Sequence, residues 1–175
     1  MPFTPYHFGP ALLLGMLLIP FVDLSAILIA SVILDLEPLA VLMFNLPFVL
    51  HGIFHTYLAA SIVAILLTFT LWPLRGVLNT IVSAFGVHQQ STLRSLFLAS
   101  LIGTYSHVFL DSFLYAEMNP FYPFMGNPFV GLIQGQVVYN LCVLSGLFGL
   151  GLYVGYLLYW HYKSRETQIP QGDLD

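Results

Sequence analysis

The sequence predicts an all-α integral membrane protein: a helical bundle with three or more transmembrane spans and a short helical hairpin at its N-terminus. Of its 175 residues, 58% are hydrophobic and only 7% are charged, and the mean hydropathy is +0.88. Soluble domains carry about 25% charged residues. With so little charge, most of the protein surface is expected to face lipid rather than water.

The first 34 residues contain two short apolar runs that predict the hairpin. The run over residues 9–19 is interrupted by Pro20, and Asp23 then caps a second run of similar length. Each helix would be about 16 Å long, too short to cross ~30 Å of hydrocarbon. The two either join as one kinked span or fold back on each other. We favour the hairpin, which places His7 beside Glu37.

The rest of the chain divides into apolar spans and connecting segments. We expect a connection or short interfacial helix over 38–50, a span over about 52–74, a surface segment over 75–90, a helix over about 92–114 capped by Ser91, an aromatic loop over 117–129, a last span over about 130–160 and a disordered polar tail over 166–175. Residues 1–165 would form a single domain.

The few basic residues predict the topology. Arg75 and Arg94 flank one connection, and Lys163 and Arg165 follow the last span, so all four fall on one side, which the positive-inside rule makes cytoplasmic. His55 lies 20 residues before Arg75, about 30 Å along a helix. The ionisable residues of the apolar segments therefore lie toward the non-cytoplasmic face of a multi-pass cytoplasmic membrane protein.

Two pairs of residues have the spacing of metal ligands. His51 and His55 are four residues apart, as are His107 and Asp111, and this spacing brings two side chains together on one helix face. The alternatives are an interfacial histidine pair for the first and a hydrogen-bonded packing pair for the second. Ionisable groups inside a membrane span are nevertheless hypotheses of function by default.

The acidic pair Asp35 and Glu37 adds two oxygen ligands, unless both are solvated at a helix end. Three histidines and three carboxylates exceed what one zinc ion needs, so we expect two or three zinc ions, or another divalent metal. Such a site deprotonates a water molecule that attacks phosphorus or a carbonyl. Because the single cysteine, Cys142, excludes a Cys-based zinc site, His and carboxylates must hold the metal.

Several other polar residues have more limited predicted roles. His7 and Glu117 are further candidate ligands, the second only if its loop folds back. The remaining assignments are Asp23 as a helix cap, His88 and His161 as surface residues, Thr56 and Ser106 as donors that orient the ligands, and Asn119 and Asn127 as a roof over the site or part of an interfacial aromatic belt.

Four blocks of sequence, TPYHFGPALL, LDLEP, HGIFHT and SHVFLDS, resemble in their order the YdjM-like family of membrane-bound, predicted metal-dependent hydrolases. The resemblance covers most of residues 4–129. It implies a helical membrane hydrolase, distantly similar to zinc-dependent phospholipase C and P1 nuclease, whose metal-site residues are His7, Asp35, Glu37, His51, His55, His107 and Asp111. The chain departs from the family at Glu37, where many relatives have Asp.

These patterns favour a membrane-embedded zinc phosphoesterase that acts on a lipid or lipid-linked substrate at the outer face of the membrane, with catalytic roles for Glu37 and Asp111. Membrane lipids are the expected partners, and the net charge of −4 argues against nucleic acid. The alternative is a non-enzymatic metal-binding protein or ion carrier, whose polar path would need Gln134, Gln136 and Asn140. A structural scaffold would bind no metal.

Overall fold

The computed structural model describes residues 5–166, and over these residues the chain is helical and contains no strand. The all-α prediction is therefore confirmed. The helices are α1 (Phe8–Leu17), α2 (Leu24–Ala30), α3 (Leu36–Met43), α4 (Tyr57–Ala84), α5 (Leu93–Ser112) and α6 (Gly135–Glu166). Of the predicted tail, Glu166 ends α6 and the remainder lies outside the described residues.

Four helical stretches are long and apolar enough to cross a membrane: Leu24–Met43, Tyr57–Ala84, Leu93–Ser112 and Gly135–Glu166. The outer surface of the bundle is apolar as well. On α6, for example, Leu147, Phe148 and Leu158 are 61%, 67% and 64% exposed. Soluble monomers rarely expose continuous apolar surface of this kind. The chain therefore fits a multi-pass membrane protein.

The predicted N-terminal hairpin is confirmed, since α1 and α2 fold back against each other. Gly15 of α1 lies so close to α2 that a Cβ atom there would be 2.7 Å from the Leu24 side chain and 3.1 Å from that of Ile27. Asp23 caps α2 as predicted, and its carboxylate accepts a hydrogen bond from the Ala26 N–H at 2.9 Å. The start of α1 and the end of α2 therefore lie at the same end of the bundle.

Small residues hold the hairpin between α6 and α5. A Cβ atom on Gly149 of α6 would lie 2.8 Å from the Leu13 backbone nitrogen of α1, and one on Gly103 of α5 would lie 2.8 Å from the Ile27 carbonyl oxygen of α2. Glycine at such crossings lets the helix backbones approach closely, as is common between membrane helices. The packing order across the bundle is thus α6, α1, α2 and α5, with α4 against α5.

Helix α4 is longer than predicted. The predicted end of the span at about residue 74 is wrong, because the helix passes Pro73 and continues to Ala84. Arg75 folds back on the helix, where its Nη1 donates to the Trp72 carbonyl at 2.7 Å and its guanidinium lies 4.0 Å from the Trp72 ring centroid. These contacts let a charged residue remain within an apolar helix.

The start of α5 also differs from the prediction. Thr92, rather than Ser91, caps the helix: its hydroxyl accepts from the Ser95 N–H at 3.0 Å, and the Ser95 hydroxyl accepts from the Thr92 N–H at 2.9 Å. The Ser91 hydroxyl instead donates to the Asp23 carboxylate. This contact joins the α4–α5 connection to the turn of the hairpin.

The segment predicted as a connection over 38–50 has two parts. Helix α3 begins earlier, at Leu36, and ends at Met43, and no regular helix follows until residue 53. Met43, Phe44 and Phe48 are 71%, 70% and 68% exposed. This part of the protein is therefore an uncharged, apolar surface at the end of the bundle that carries the ionisable residues.

Candidate metal centre

Four buried side chains converge between the helices. Asp35, His55, His107 and Asp111 each offer one ligand atom, and these atoms all lie within 4.8 Å of one another. None of the four residues is more than 2% exposed. This cluster of two aspartates and two histidines could bind a metal ion.

The cluster lies where three helices begin and a fourth ends. Each of the three helix starts is preceded by a three-residue 3₁₀ turn that ends in a polar residue. His7 ends the turn directly before α1, and Asp35 ends the turn directly before α3. His55 ends a third turn and is separated from α4 by one residue. His107 and Asp111 are one turn apart on the buried face of α5, which ends at the next residue, Ser112. Segments distant in the sequence therefore deliver their polar side chains to one place.

Asp111 is central to the cluster. Its Oδ2 lies 3.2 Å from Nε2 of His107 and 3.7 Å from Nε2 of His55, while its Oδ1 lies 3.2 Å from Nε2 of His7. Oδ1 of Asp35 lies 3.7 Å from the same Nε2 of His107. The hairpin brings His7 to this end of the bundle, where it joins the four residues as a fifth member through Asp111.

The Nδ1 atoms of His55 and His107 face away from the cluster and have acceptors of their own. Nδ1 of His55 lies 2.8 Å from Oε2 of Glu37, and Nδ1 of His107 lies 2.7 Å from the Ser31 carbonyl oxygen. Because carboxylate and carbonyl oxygens accept hydrogen bonds, each Nδ1 carries a proton. If both imidazoles are neutral with the proton on Nδ1, their Nε2 atoms, which are 3.3 Å apart, both offer lone pairs.

His51 lies next to this cluster and has a similar arrangement. Its Nδ1 lies 3.1 Å from Oε1 of Glu117, and its ring stacks on Tyr115 at a centroid distance of 3.6 Å and meets His55 edge-on at 4.8 Å. Its Nε2 is buried and has no hydrogen-bond partner among the described residues. His51 therefore offers a further nitrogen beside the cluster.

The expectation that His51 and His55 share a helix face is wrong. Helix α4 begins only at Tyr57, because Thr56 caps it by accepting from the Ala59 N–H at 3.1 Å. The two histidines lie in the preceding segment, where a 3₁₀ turn over Ile53–His55 replaces the first predicted turn of α-helix. Their proximity comes from this local chain path rather than from helical periodicity.

Burial favours the neutral form of His7 and His55. Burial lowers the pKa of His7 and of His55, although the hydrogen bonds to Asp111 and to Glu37, respectively, oppose this effect. Neutral imidazole is the form that binds a cation. Partial burial opposes ionisation of Glu117, but its own backbone N–H and His51 outweigh this effect and lower the pKa of its carboxyl.

The eight predicted metal-site residues therefore separate into two groups. Five have side chains that converge: His7, Asp35, His55, His107 and Asp111. The other three, Glu37, His51 and Glu117, lie around them. Glu37 contacts Nδ1 of His55, and Glu117 contacts Nδ1 of His51. Asp35 instead lies near Nε2 of His107, so Asp35 and Glu37 face different sides of the site.

The residues predicted to orient ligands bond to backbone instead. The Thr56 hydroxyl donates to the Ile53 carbonyl and that of Ser106 to the Gly103 carbonyl, both at 2.9 Å. The Asn119 side chain accepts from the Gly126 N–H, and the Asn127 amide donates to the Ser112 and Tyr115 carbonyls. His88 and His161 are exposed in the other half of the bundle, as predicted.

Sequence reasoning missed two contributors to the site. The Ser31 carbonyl oxygen holds His107, and a backbone atom in this role leaves no signal in side-chain patterns. Tyr115 stacks on His51, and its only signal is a spacing of four residues from Asp111. The sequence matches no family model, and neither curated proteins nor solved structures give a significant match to the chain.

Proposed function

We propose that the protein is a membrane-embedded, metal-dependent hydrolase, and specifically a zinc phosphoesterase of the YdjM-like type. One observation carries the proposal: Nε2 of His55 and Nε2 of His107 are 3.3 Å apart, with Asp111 beside both. Both atoms are acceptors when the imidazoles are neutral, and the carboxylate adds further lone pairs. A cation bound here would use lone pairs from both imidazoles and from the carboxylate.

The charge balance of this end of the bundle supports two ions. Asp35, Glu37, Asp111 and Glu117 bring four carboxylates together, whereas the sequence has no Lys or Arg between residues 5 and 74 or between 95 and 162. Uncompensated charge is expensive away from water. Two divalent cations balance four carboxylates. The mixture of imidazole and carboxylate ligands favours zinc.

The chain's own residues then have distinct tasks. Asp35, His55, His107 and Asp111 would hold the metal, with His7 completing the set and His51 offering a further nitrogen. Glu37 and Ser31 fix the ring orientation and tautomer of the histidines that they contact, as such partners do around metals. A bound zinc ion lowers the pKa of water and polarises a phosphoryl or carbonyl oxygen.

The distribution of charge also supports an orientation and a type of substrate. The Tyr153 hydroxyl on α6 donates to the Phe85 carbonyl at the end of α4, so both helices end in the half of the bundle that carries the basic residues. The positive-inside rule makes that half cytoplasmic. The cluster then faces the outer leaflet of the cytoplasmic membrane, where a lipid phosphoester is the accessible substrate.

A metal carrier is less well supported. Its path through the membrane would need Gln134, Gln136 and Asn140, but all three side chains are exposed, and Gln136 donates to Asn140 at 3.1 Å. Side chains on the outer surface of the bundle do not line a path through it.

Metal analysis and turnover assays test the proposal together. Detergent-purified protein should contain about two zinc ions, the count that balances the four carboxylates. It should hydrolyse phospholipids or polyprenyl phosphates in mixed micelles, and a chelator should stop turnover. His55→Ala and Asp111→Ala should lose both metal and turnover, whereas the exposed control His88→Ala should keep both. Metal-free wild type would favour a scaffold, and bound metal without turnover would favour a carrier.

A further inference from the structure

An apolar cleft adjoins the metal cluster. It has a volume of about 440 Å³ and lies between α3 and residues 44–54. Its apolar lining comes from Ala40, Val41, Leu46, Phe48, Val49 and Ile53. The only ionisable side chain in the lining is Glu37.

Glu37 connects the cleft to the cluster. A Cβ atom on Gly52, which also lines the cleft, would lie 2.8 Å from Oε1 of Glu37. The other carboxylate oxygen lies 2.8 Å from Nδ1 of His55. The Glu37 carboxylate and the His55 ring thus lie between the cleft and the proposed metal ions, so the headgroup of a molecule held in the cleft would have to extend past Glu37 to reach them.

The surroundings of the cleft favour a hydrocarbon occupant. Residues 38–56 contain no Asp, Glu, Lys or Arg, and Phe48, Ile53 and Phe54 are 68%, 60% and 47% exposed. A buried water molecule needs about two to four polar partners, whereas Glu37 has the one polar side chain in the lining of the cleft. This lining therefore suits a hydrocarbon chain better than water.

We infer that this cleft binds one acyl chain of a glycerophospholipid whose phosphoester lies at the metal cluster. The inference rests on the proposed hydrolase function and names its substrate class. The volume lies in the lower part of the ~300–1,000 Å³ range of small-molecule sites. It suits a single unbranched chain, and the long branched chain of a polyprenyl phosphate is the competing occupant in the test.

A second apolar groove provides a matched control. It has a volume of about 490 Å³ and is lined by Leu28, Leu78, Ile81 and Leu150, among others, without any residue of the cluster. A lipid that merely coats apolar surface would occupy both grooves. A substrate chain bound for reaction would occupy the cleft beside Glu37 selectively.

Photolabelling in nanodiscs tests this selectivity. The probe is a phosphatidylglycerol with a diazirine in one acyl chain, added to zinc-loaded protein, and label should concentrate within residues 40–54. Filling the cleft by Ala40→Trp or Val49→Trp should reduce that label about tenfold, equivalent to ~1.4 kcal/mol. Ile81→Trp should not reduce it. Zinc content should be unchanged in all three variants, which shows that each is folded.

Three results would overturn the inference. The first is labelling that neither cleft substitution reduces, and the second is equal labelling of the second apolar groove, which Leu28 helps to line. The third is displacement of the label by undecaprenyl phosphate but not by unlabelled phosphatidylglycerol. The outcome is separable from that of the proposed function. Cleft labelling without metal-dependent hydrolysis would remove the hydrolase and leave a lipid-binding site. Hydrolysis that the cleft substitutions do not affect would remove only the acyl-chain site.

Discussion

Oε2 of Glu37 lies 2.8 Å from Nδ1 of His55, and this contact joins the first turn of α3 to the residues that lead into α4. The Glu37 side chain is 13% exposed, whereas His55 is fully buried. A partly solvated carboxylate thus holds a buried imidazole by the nitrogen that faces away from Asp111. Carboxylate–histidine pairs of this kind orient metal ligands and raise their basicity.

Glu37→Gln should therefore weaken metal binding without removing a ligand. The amide keeps the size of the side chain but lacks the negative charge that increases the basicity of His55. We expect the metal dissociation constant to rise about 10- to 100-fold at unchanged stoichiometry. Competition titration against a zinc chelator measures both quantities.

Glu166→Gln is the matched control, since Glu166 ends α6 in the opposite half of the bundle. It should leave the dissociation constant of the metal unchanged. If Glu37→Gln instead lowers the stoichiometry by a whole ion, Glu37 is a direct ligand, and its assignment as an orienting residue is wrong.

The sequence favoured the hairpin that returns His7 to the end of the bundle where Glu37 lies. Pro20 and the capping residue Asp23 indicated a hairpin, and a hairpin returns the chain to the end at which it started. The i,i+4 spacing of His107 and Asp111 predicted one helix face, and both are buried on it. These inferences succeeded because each depended on one local rule within a single segment.

The errors arose where two local rules competed. Thr56 is a good N-cap, but the apolar run on both sides of it concealed the start of α4, so His51 and His55 were assigned to the helix. Arg75 suggested a helix end, whereas its contact with Trp72 lets the helix continue. Which rule prevails depends on tertiary contacts that a single sequence does not contain.

Substitution of Asp23 and of Asp35 should affect different properties of the protein, although both residues are 1% exposed. The Asp23 carboxylate accepts from the Ala26 N–H and the Ser25 hydroxyl, so it acts as a helix cap. Asp23→Ala should lower the free energy of unfolding by about 0.5–2 kcal/mol and leave metal content intact. Asp35→Ala should lose metal.

Metal analysis and denaturant unfolding of the two purified variants measure these effects. Each variant serves as the control for the other, because both remove one buried carboxylate from the same stretch of chain. Loss of metal from Asp23→Ala, at a concentration where it remains folded, would contradict the separation of a capping end from a metal-binding end.

Gly149→Ala should disturb both the packing of α1 and the metal site. The new Cβ atom would lie 2.8 Å from the Leu13 backbone nitrogen, so α1 must shift away from α6. Overpacking of this kind costs about 1–3 kcal/mol. Because His7 directly precedes α1, metal affinity should fall as well.

The control for this substitution is Gly151→Ala on the same helix, where a Cβ atom meets nothing within 4 Å. It should leave metal affinity unchanged and leave stability unchanged or improved by up to ~1 kcal/mol, since alanine favours the helix. Thermal unfolding and zinc titration in the same detergent compare the two variants. Equal effects of both substitutions would show that the α1–α6 crossing does not position His7.

Removal of metal should destabilise the wild-type protein more than a variant that lacks the central carboxylates. A ligand present at 100 times its dissociation constant adds about 2.7 kcal/mol to the free energy of unfolding, and a chelator should remove that contribution. The variant Asp35→Asn with Asp111→Asn should show no chelator effect, because both substituted residues belong to the cluster.

The same comparison distinguishes a metal site from a structural hydrogen-bond network. Without a cation, two buried carboxylates beside His55 and His107 carry charge that water does not compensate. In chelator, the amide variant should therefore be at least as stable as the wild type. If the cluster were instead a network that holds the helices together, the amides would lose charge-assisted hydrogen bonds and the variant would be the less stable of the two. Denaturant unfolding of both proteins, with zinc and with chelator, decides between these outcomes.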